Sequence, residues 1–163
     1  MLSFLAKPPF GWEDFLAKCR SLIPEDEFEI LRRLSQAEIG AADIWGSPSL
    51  KQWAGFEIAL RNELVRSRAA RKKIDPAKFL RLPDFQQAQV SHVALTAYRS
   101  SSILEAEKIL DQARWNFLEE LTFGHYFDFD YLLIYGLKLK ILARWEKIQT
   151  QDKDNLLLSV TAN

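Results

Sequence analysis

The side chains able to do chemistry are few and scattered. His92 and His125 have no second ligand at His-x-x-x-His or Glu-x-x-His spacing, so a metal centre would have to be assembled from distant parts of the chain. His125, Asp128 and Asp130 together have the residue types of a metal-dependent phosphatase, but an Asp just ahead of an apolar helical run is first a capping residue. Cys19 occupies an apolar helix position, where a thiol behaves as a small hydrophobe and its surroundings raise its pKa. Neither a glycine-rich phosphate cradle nor a Gly-x-Ser-x-Gly elbow occurs. This inventory predicts no catalytic residue, no metal site and no cofactor.

Two charges stand where apolar residues belong. On a wheel of about 100° per residue, Trp53, Leu60 and Leu64 share one side, and Glu57 falls about 40° from Trp53 on that same stripe. Lys138 projects into the middle of the face made by Tyr131, Ile134, Tyr135, Ile141, Leu142 and Trp145. An unpaired charge buried there would cost several kcal/mol, so these chains either snorkel to a wet edge or find partners. Arg61, one turn from Glu57, is the nearest cation, and a shared network of Glu57, Arg61 and Lys138 is expected to hold two helices in register. The run Arg66, Arg68, Arg71, Lys72 and Lys73 is a second candidate, a docking surface for an acidic protein or for phosphates. Its plain reading is a solvated helix end, since cations there are favoured by the helix dipole.

The elements that must position these residues are helical. Apolar residues recur at three and four from Trp12 to Ile23; Pro24, followed by Glu25, Asp26 and Glu27, opens a second helix through Leu34. Ser47-Pro48 starts a long helix over 49–73. Residues 74–100, with Asp75-Pro76 and Leu82-Pro83-Asp84, are the least regular and predict a short helix and a second one. Ser102 and Glu105 form a capping box for a helix to about Phe123, and Gly124 ends it. Asp128 or Asp130 caps a helix from Tyr131 to about Ile148; Asp152 caps a final short helix or opens a flexible tail over 152–163. Residues 1–10 read as irregular or as a short strand. The expectation is one all-α domain over 1–163, a bundle of five to seven helices in which 49–73, 102–123 and 131–148 are central.

Composition narrows the function. Twenty-two basic residues balance 22 acidic ones in 163, which removes the excess positive charge that a dedicated nucleic-acid binder or polybasic membrane protein needs. At 48% hydrophobic residues the chain is not disordered, and a lone Cys makes no internal disulfide. No stretch reaches the roughly 18–20 apolar residues of a membrane span, and the opening is too short for a signal-peptide core. A cytoplasmic protein without membrane insertion is expected.

The stretches 11–20 (GWEDFLAKCR), 23–31 (IPEDEFEIL), 53–69 (WAGFEIALRNELVRSRA) and 128–145 (DFDYLLIYGLKLKILARW) resemble a family of uncharacterised bacterial proteins encoded among the subunits of V/A-type rotary ATPases. That pattern is similar in turn to the central-stalk subunit, called C in prokaryotes and d in eukaryotes, an all-helical socket joining the rotating shaft to the membrane ring. Tyr135, Lys138 and Arg144 stand in places comparable to a Tyr, a Lys and an Arg of its late helix, with Trp145 following, and Glu57 and Arg61 in places comparable to an inward-facing pair on an earlier one. The resemblance implies a non-catalytic subunit or accessory protein, its partners the stalk or the ring, held at the inner face of the plasma membrane. The alternative is a free-standing helical adaptor or regulatory domain whose basic end, 61–73, binds an acidic partner or nucleic acid.

Overall fold

Each helix starts and stops for a local reason. In the computed structural model, which describes residues 2–34, 47–82 and 88–161, α1 spans Trp12–Cys19 and α2 spans Glu25–Leu34. The expected continuation of α1 to Ile23 does not form: the amides of Leu22 and Ile23 both turn back to the Cys19 carbonyl, and Leu22 is exposed. Pro24 is the reason, since the residue before a proline is pushed out of the helical region.

Helix α3 spans Pro48–Lys72, with the Ser47 hydroxyl accepting the Leu50 amide at 3.2 Å and proline in the first turn. It ends on Lys73 at φ 55°, where the Lys73 amide reaches Ala70 O and the Ile74 amide reaches Ala69 O, satisfying two terminal carbonyls. A strap with one 3-10 turn, Ala77–Phe79, then runs back along α3. Helix α4 spans Ala88–Arg99 and α5 spans Ile103–Leu121. Ser102 caps α5 by accepting the Glu105 amide at 3.1 Å, while the Glu105 carboxylate takes the Ser101 hydroxyl instead of closing a reciprocal box. Gly124, at φ 87°, turns the chain into α6, Phe129–Thr161.

The described residues form six α-helices and no strand, so the chain is an all-helical bundle. Residues 2–10 are turns and bends, which removes the short-strand reading, and α6 passes through Asp152 without restarting. Pro83 and Asp84 of the irregular stretch lie outside the described residues.

Side-chain pairings give the directions. Glu57 of α3 meets Arg114 of α5, and Lys138 and Trp145 of α6 meet Glu119 and Asp111 of α5 in reversed order, so α5 runs antiparallel to both. Ser47 and Ser49 at the start of α3 donate to Asp130 at the start of α6, at 2.7 and 2.9 Å. Leu31, Leu50, Leu60, Leu118, Leu133, Leu139 and Leu142 are fully buried at the centre of the core, each worth about 1.5–3 kcal/mol over its exposed state. Phe56 and Phe117 stack at 4.4 Å beside Trp53. Helices α1 and α2 pack on α6. A Cβ at Gly136 would come within 3.2 Å of Phe15 and 3.3 Å of Trp12, so glycine lets α1 lie close. Lys140 Nζ reaches the Leu34 carbonyl at 2.8 Å, tying down the end of α2, and burial lowers its pKa.

Candidate functional site

The charges singled out on the apolar faces are buried, and their partners come from α5. The Glu57 carboxylate, 8% exposed, accepts Arg114 Nε at 2.7 Å and Nη2 at 3.3 Å, a bidentate pair. The third reach of the same guanidinium, Nη1, goes to Asp111 Oδ1 at 2.9 Å. Asp111 is wholly buried; its other oxygen accepts Trp145 Nε1 at 2.8 Å and pairs with Arg144, which also lies 3.9 Å from Glu107. Two carboxylates and two guanidiniums thus neutralise one another between α3, α5 and α6. Lys138 makes a separate pair with Glu119 at 2.8 Å, its ammonium 5.5 Å from the Trp115 ring centroid.

The expected triad of Glu57, Arg61 and Lys138 is therefore corrected. Arg61 is turned outward and donates to the Phe79 carbonyl of the strap at 3.0 Å. It lies one turn along the same helix as Glu57, but a guanidinium on α5 reaches the inward side of α3 and one beside it on the surface does not. A sequence signal exists for Asp111, the second carboxylate of the network: it shares a helical face with Trp115 and Leu118, and all three are buried. That choice of Arg114 over Arg61 has no such signal. Nor had Asn62 been singled out; it is fully buried, and its amide exchanges two hydrogen bonds with the Arg81 backbone at 2.8 and 2.9 Å, clamping the strap to α3.

In the basic run, Arg66 pairs with Glu63 at 2.6 Å, while Arg68, Arg71, Lys72 and Lys73 are exposed. His125 Nδ1 meets Asp128 Oδ2 at 2.5 Å, and Asp128 Oδ1 accepts the Tyr131 amide at 2.9 Å, so Asp128 is the cap of α6. The hydrogen bond from His125 holds the Asp128 carboxyl below the usual range. His92 is exposed and distant in the fold from this turn, on the α4 side of a groove with α5. Cys19 is buried, which pushes its thiol up. No group of three or more His, Cys, Asp or Glu among the described residues is placed to hold a metal ion.

Two surfaces remain. The α5–α6 turn holds three aromatic side chains in water: Phe123 is 89%, Tyr126 68% and Phe127 104% exposed. At the opposite end, where α3 and α4 finish and α5 begins, exposed Ile103 lines a groove with Arg68, Glu107 and the serines Ser100, Ser101 and Ser102. Chemically, the arrangement offers a charge-locked core and two contrasting ends.

Among protein families, the model described as "Protein of unknown function (DUF2764)" matches residues 92–157, a span that contains α5 with Asp111, Arg114 and Glu119, and the part of α6 with Lys138, Arg144 and Trp145. No curated protein and no solved structure matches the chain.

Proposed function

We propose that this chain is a non-catalytic subunit or accessory protein of a bacterial V/A-type rotary ATPase, docked on the stalk or the membrane ring through exposed surfaces of its helical bundle. The likeness of the stretches 11–20, 23–31, 53–69 and 128–145 to the family encoded with that ATPase supplies the partner. The observation that carries a docking role is the α5–α6 turn, which holds Phe123, Tyr126 and Phe127 out of the core together. Single exposed apolar residues are ordinary, but three aromatics on one turn form the kind of patch that a partner covers. No described helix is long and apolar enough to cross a membrane, so attachment to the inner face of the plasma membrane would go through the ATPase.

The test is purification of the ATPase from the native host through a tag on a different subunit. This chain should be present in the purified complex and should be lost from it when Phe123→Ser and Phe127→Ser are combined. A complete ATPase isolated without the chain, from cells that make both, overturns the reading.

A second reading, a free-standing adaptor, draws on the exposed cations Arg68, Arg71, Lys72 and Lys73. A phosphate binder loses affinity steeply with salt, whereas a subunit held by apolar contacts does not.

A further inference from the structure

Several rings of this chain hold a cation of the chain itself. Lys18 Nζ lies 5.8 Å from the Phe10 ring centroid, the Arg20 guanidinium 5.7 Å from that of Phe28, and Lys138 Nζ 5.5 Å from that of Trp115. The α5–α6 turn is different. Phe123, Tyr126 and Phe127 are exposed, and among the described residues none of them meets a cation or another ring.

The sequence around the turn supplies them no cation. Residues 115–137 contain four carboxylates, Glu119, Glu120, Asp128 and Asp130, and no Lys or Arg. Glu119 pairs with Lys138, and Asp128 with His125. Asp130 accepts the hydroxyls of Ser47 and Ser49, which satisfy its oxygens and leave its charge. Glu120, exposed on the last turn of α5, makes no ion pair among the described residues. The start of α3, residues 47–60, adds one cation, Lys51, and its one acid, Glu57, is paired inside. Three rings in water are thus bracketed along the chain by carboxylates, Glu120 ahead of Phe123 and Asp130 after Phe127.

We propose that this turn receives a basic segment of a partner protein, with arginine guanidiniums lying over Phe123, Tyr126 and Phe127 and the flanking carboxylates supplying the counter-charge. The faces of the rings and the carboxylates carry the same sign, so charge complementarity selects a cation. Arginine suits the turn better than lysine, because its planar and weakly hydrated guanidinium stacks on a ring. A second copy of the chain is disfavoured, since a twofold contact would set the same carboxylates against each other. An anionic lipid surface is disfavoured by the same sign of charge. The proposal rests on the reading of this turn as a docking surface, and not on the ATPase as the partner.

Fluorescence anisotropy with the full-length protein at low salt tests it, using three labelled probes: a short peptide of alternating arginine and serine, the same peptide with lysine for arginine, and the same with glutamate for arginine. The arginine peptide should bind at least about tenfold more tightly than the glutamate one, and several fold more tightly than the lysine one. Combining Phe123→Ser with Phe127→Ser should weaken it by about tenfold, and Glu120→Gln by several fold, whereas Ile103→Ser at the other end of the bundle should leave it unchanged. All four side chains are exposed, so the variants keep the fold, which circular dichroism checks. Equal binding of the arginine and glutamate peptides, wild-type affinity in the double phenylalanine variant, or no binding of the arginine peptide overturns the proposal. So does a dimer in sedimentation, or pelleting with phosphatidylserine vesicles, that the double phenylalanine variant abolishes. If the chain binds the arginine peptide but is missing from the purified ATPase, the ATPase reading fails and this proposal stands. If the double variant is lost from the ATPase while the arginine peptide does not bind, the docking role stands and the basic partner is overturned.

Discussion

Asp111 is wholly buried and holds Arg114, Arg144 and Trp145 on its two oxygens, while Arg114 goes on to Glu57. Buried ion pairs of this kind need not exceed a hydrophobic replacement in stability, yet removing one member strands the other. Glu57→Ala or Arg114→Ala should therefore cost about 3 kcal/mol or more in urea denaturation, with the double variant losing less than the sum. Glu57 and Lys138 pair with different residues, so Glu57→Ala and Lys138→Ala should add to within about 0.5 kcal/mol; strong non-additivity would show that they meet after all. Asp111→Asn keeps an acceptor for the Trp145 indole but removes the charge facing two guanidiniums. It should destabilise the chain in urea denaturation, and an unchanged midpoint would show that the charge of Asp111 is not what holds the two guanidiniums.

Two elements make their own predictions. The strap after α3 hangs on Asn62, whose side chain satisfies both the amide and the carbonyl of Arg81. Asn62→Ala should cost about 0.5–1.5 kcal/mol by removing the two hydrogen bonds that clamp the strap, and hydrogen exchange at the Arg81 amide should speed up more than exchange within α5. Unchanged exchange at Arg81 would mean that the strap is held by something else. In α2, Glu29 bonds Arg32 at 2.8 Å and Arg33 at 3.1 Å, and these hydrogen bonds hold its carboxyl at about 2, well under its ordinary 4.5. A carboxyl lowered on folding stabilises the folded chain above its unfolded pKa and stops doing so as pH falls through its folded one. The melting temperatures of wild type and Glu29→Gln should thus differ at pH above 4.5 and converge as pH falls toward 2. Parallel curves across that window would remove the pairing as the cause. The difference should also shrink with salt, since all three side chains are in water.

At the scale of the molecule, equal numbers of positive and negative charges conceal a division of labour between two ends of one bundle. Charges inside are paired, so the central helices are held as a unit, and the unusual surfaces sit on the turns where helices begin and finish. Substitutions at those ends should separate stability from binding. Phe123→Ser with Phe127→Ser should leave the folding free energy within about 0.5 kcal/mol of wild type in urea denaturation, because both rings are already in water. A loss of 2 kcal/mol or more would place the rings in the folded core and remove the turn as a docking surface.

Hydrophobic periodicity, prolines and caps are local properties, and they were enough for the all-helical class, the start of α3 at Ser47-Pro48 and the cap of α5 at Ser102, while for α6 they left Asp128 and Asp130 both open as the cap and the structure chose Asp128. The same locality showed that Glu57 and Lys138 lie on buried faces, because a helical wheel needs only the spacing within one helix. It failed at Leu22, where periodicity continued past the point at which Pro24 stops the helix, and at Asp152, a good cap that lies inside an unbroken α6. Which cation meets which carboxylate was not legible. Arg61 was near Glu57 in sequence, but Arg114, 57 residues away, is the one that the antiparallel packing of α5 brings to it. The exposure of Phe123, Tyr126 and Phe127 was equally a tertiary matter. A wheel sorts residues around one helix axis, whereas partner choice and the exposure of a turn depend on how the axes are set against one another, and long-range packing alone decides that.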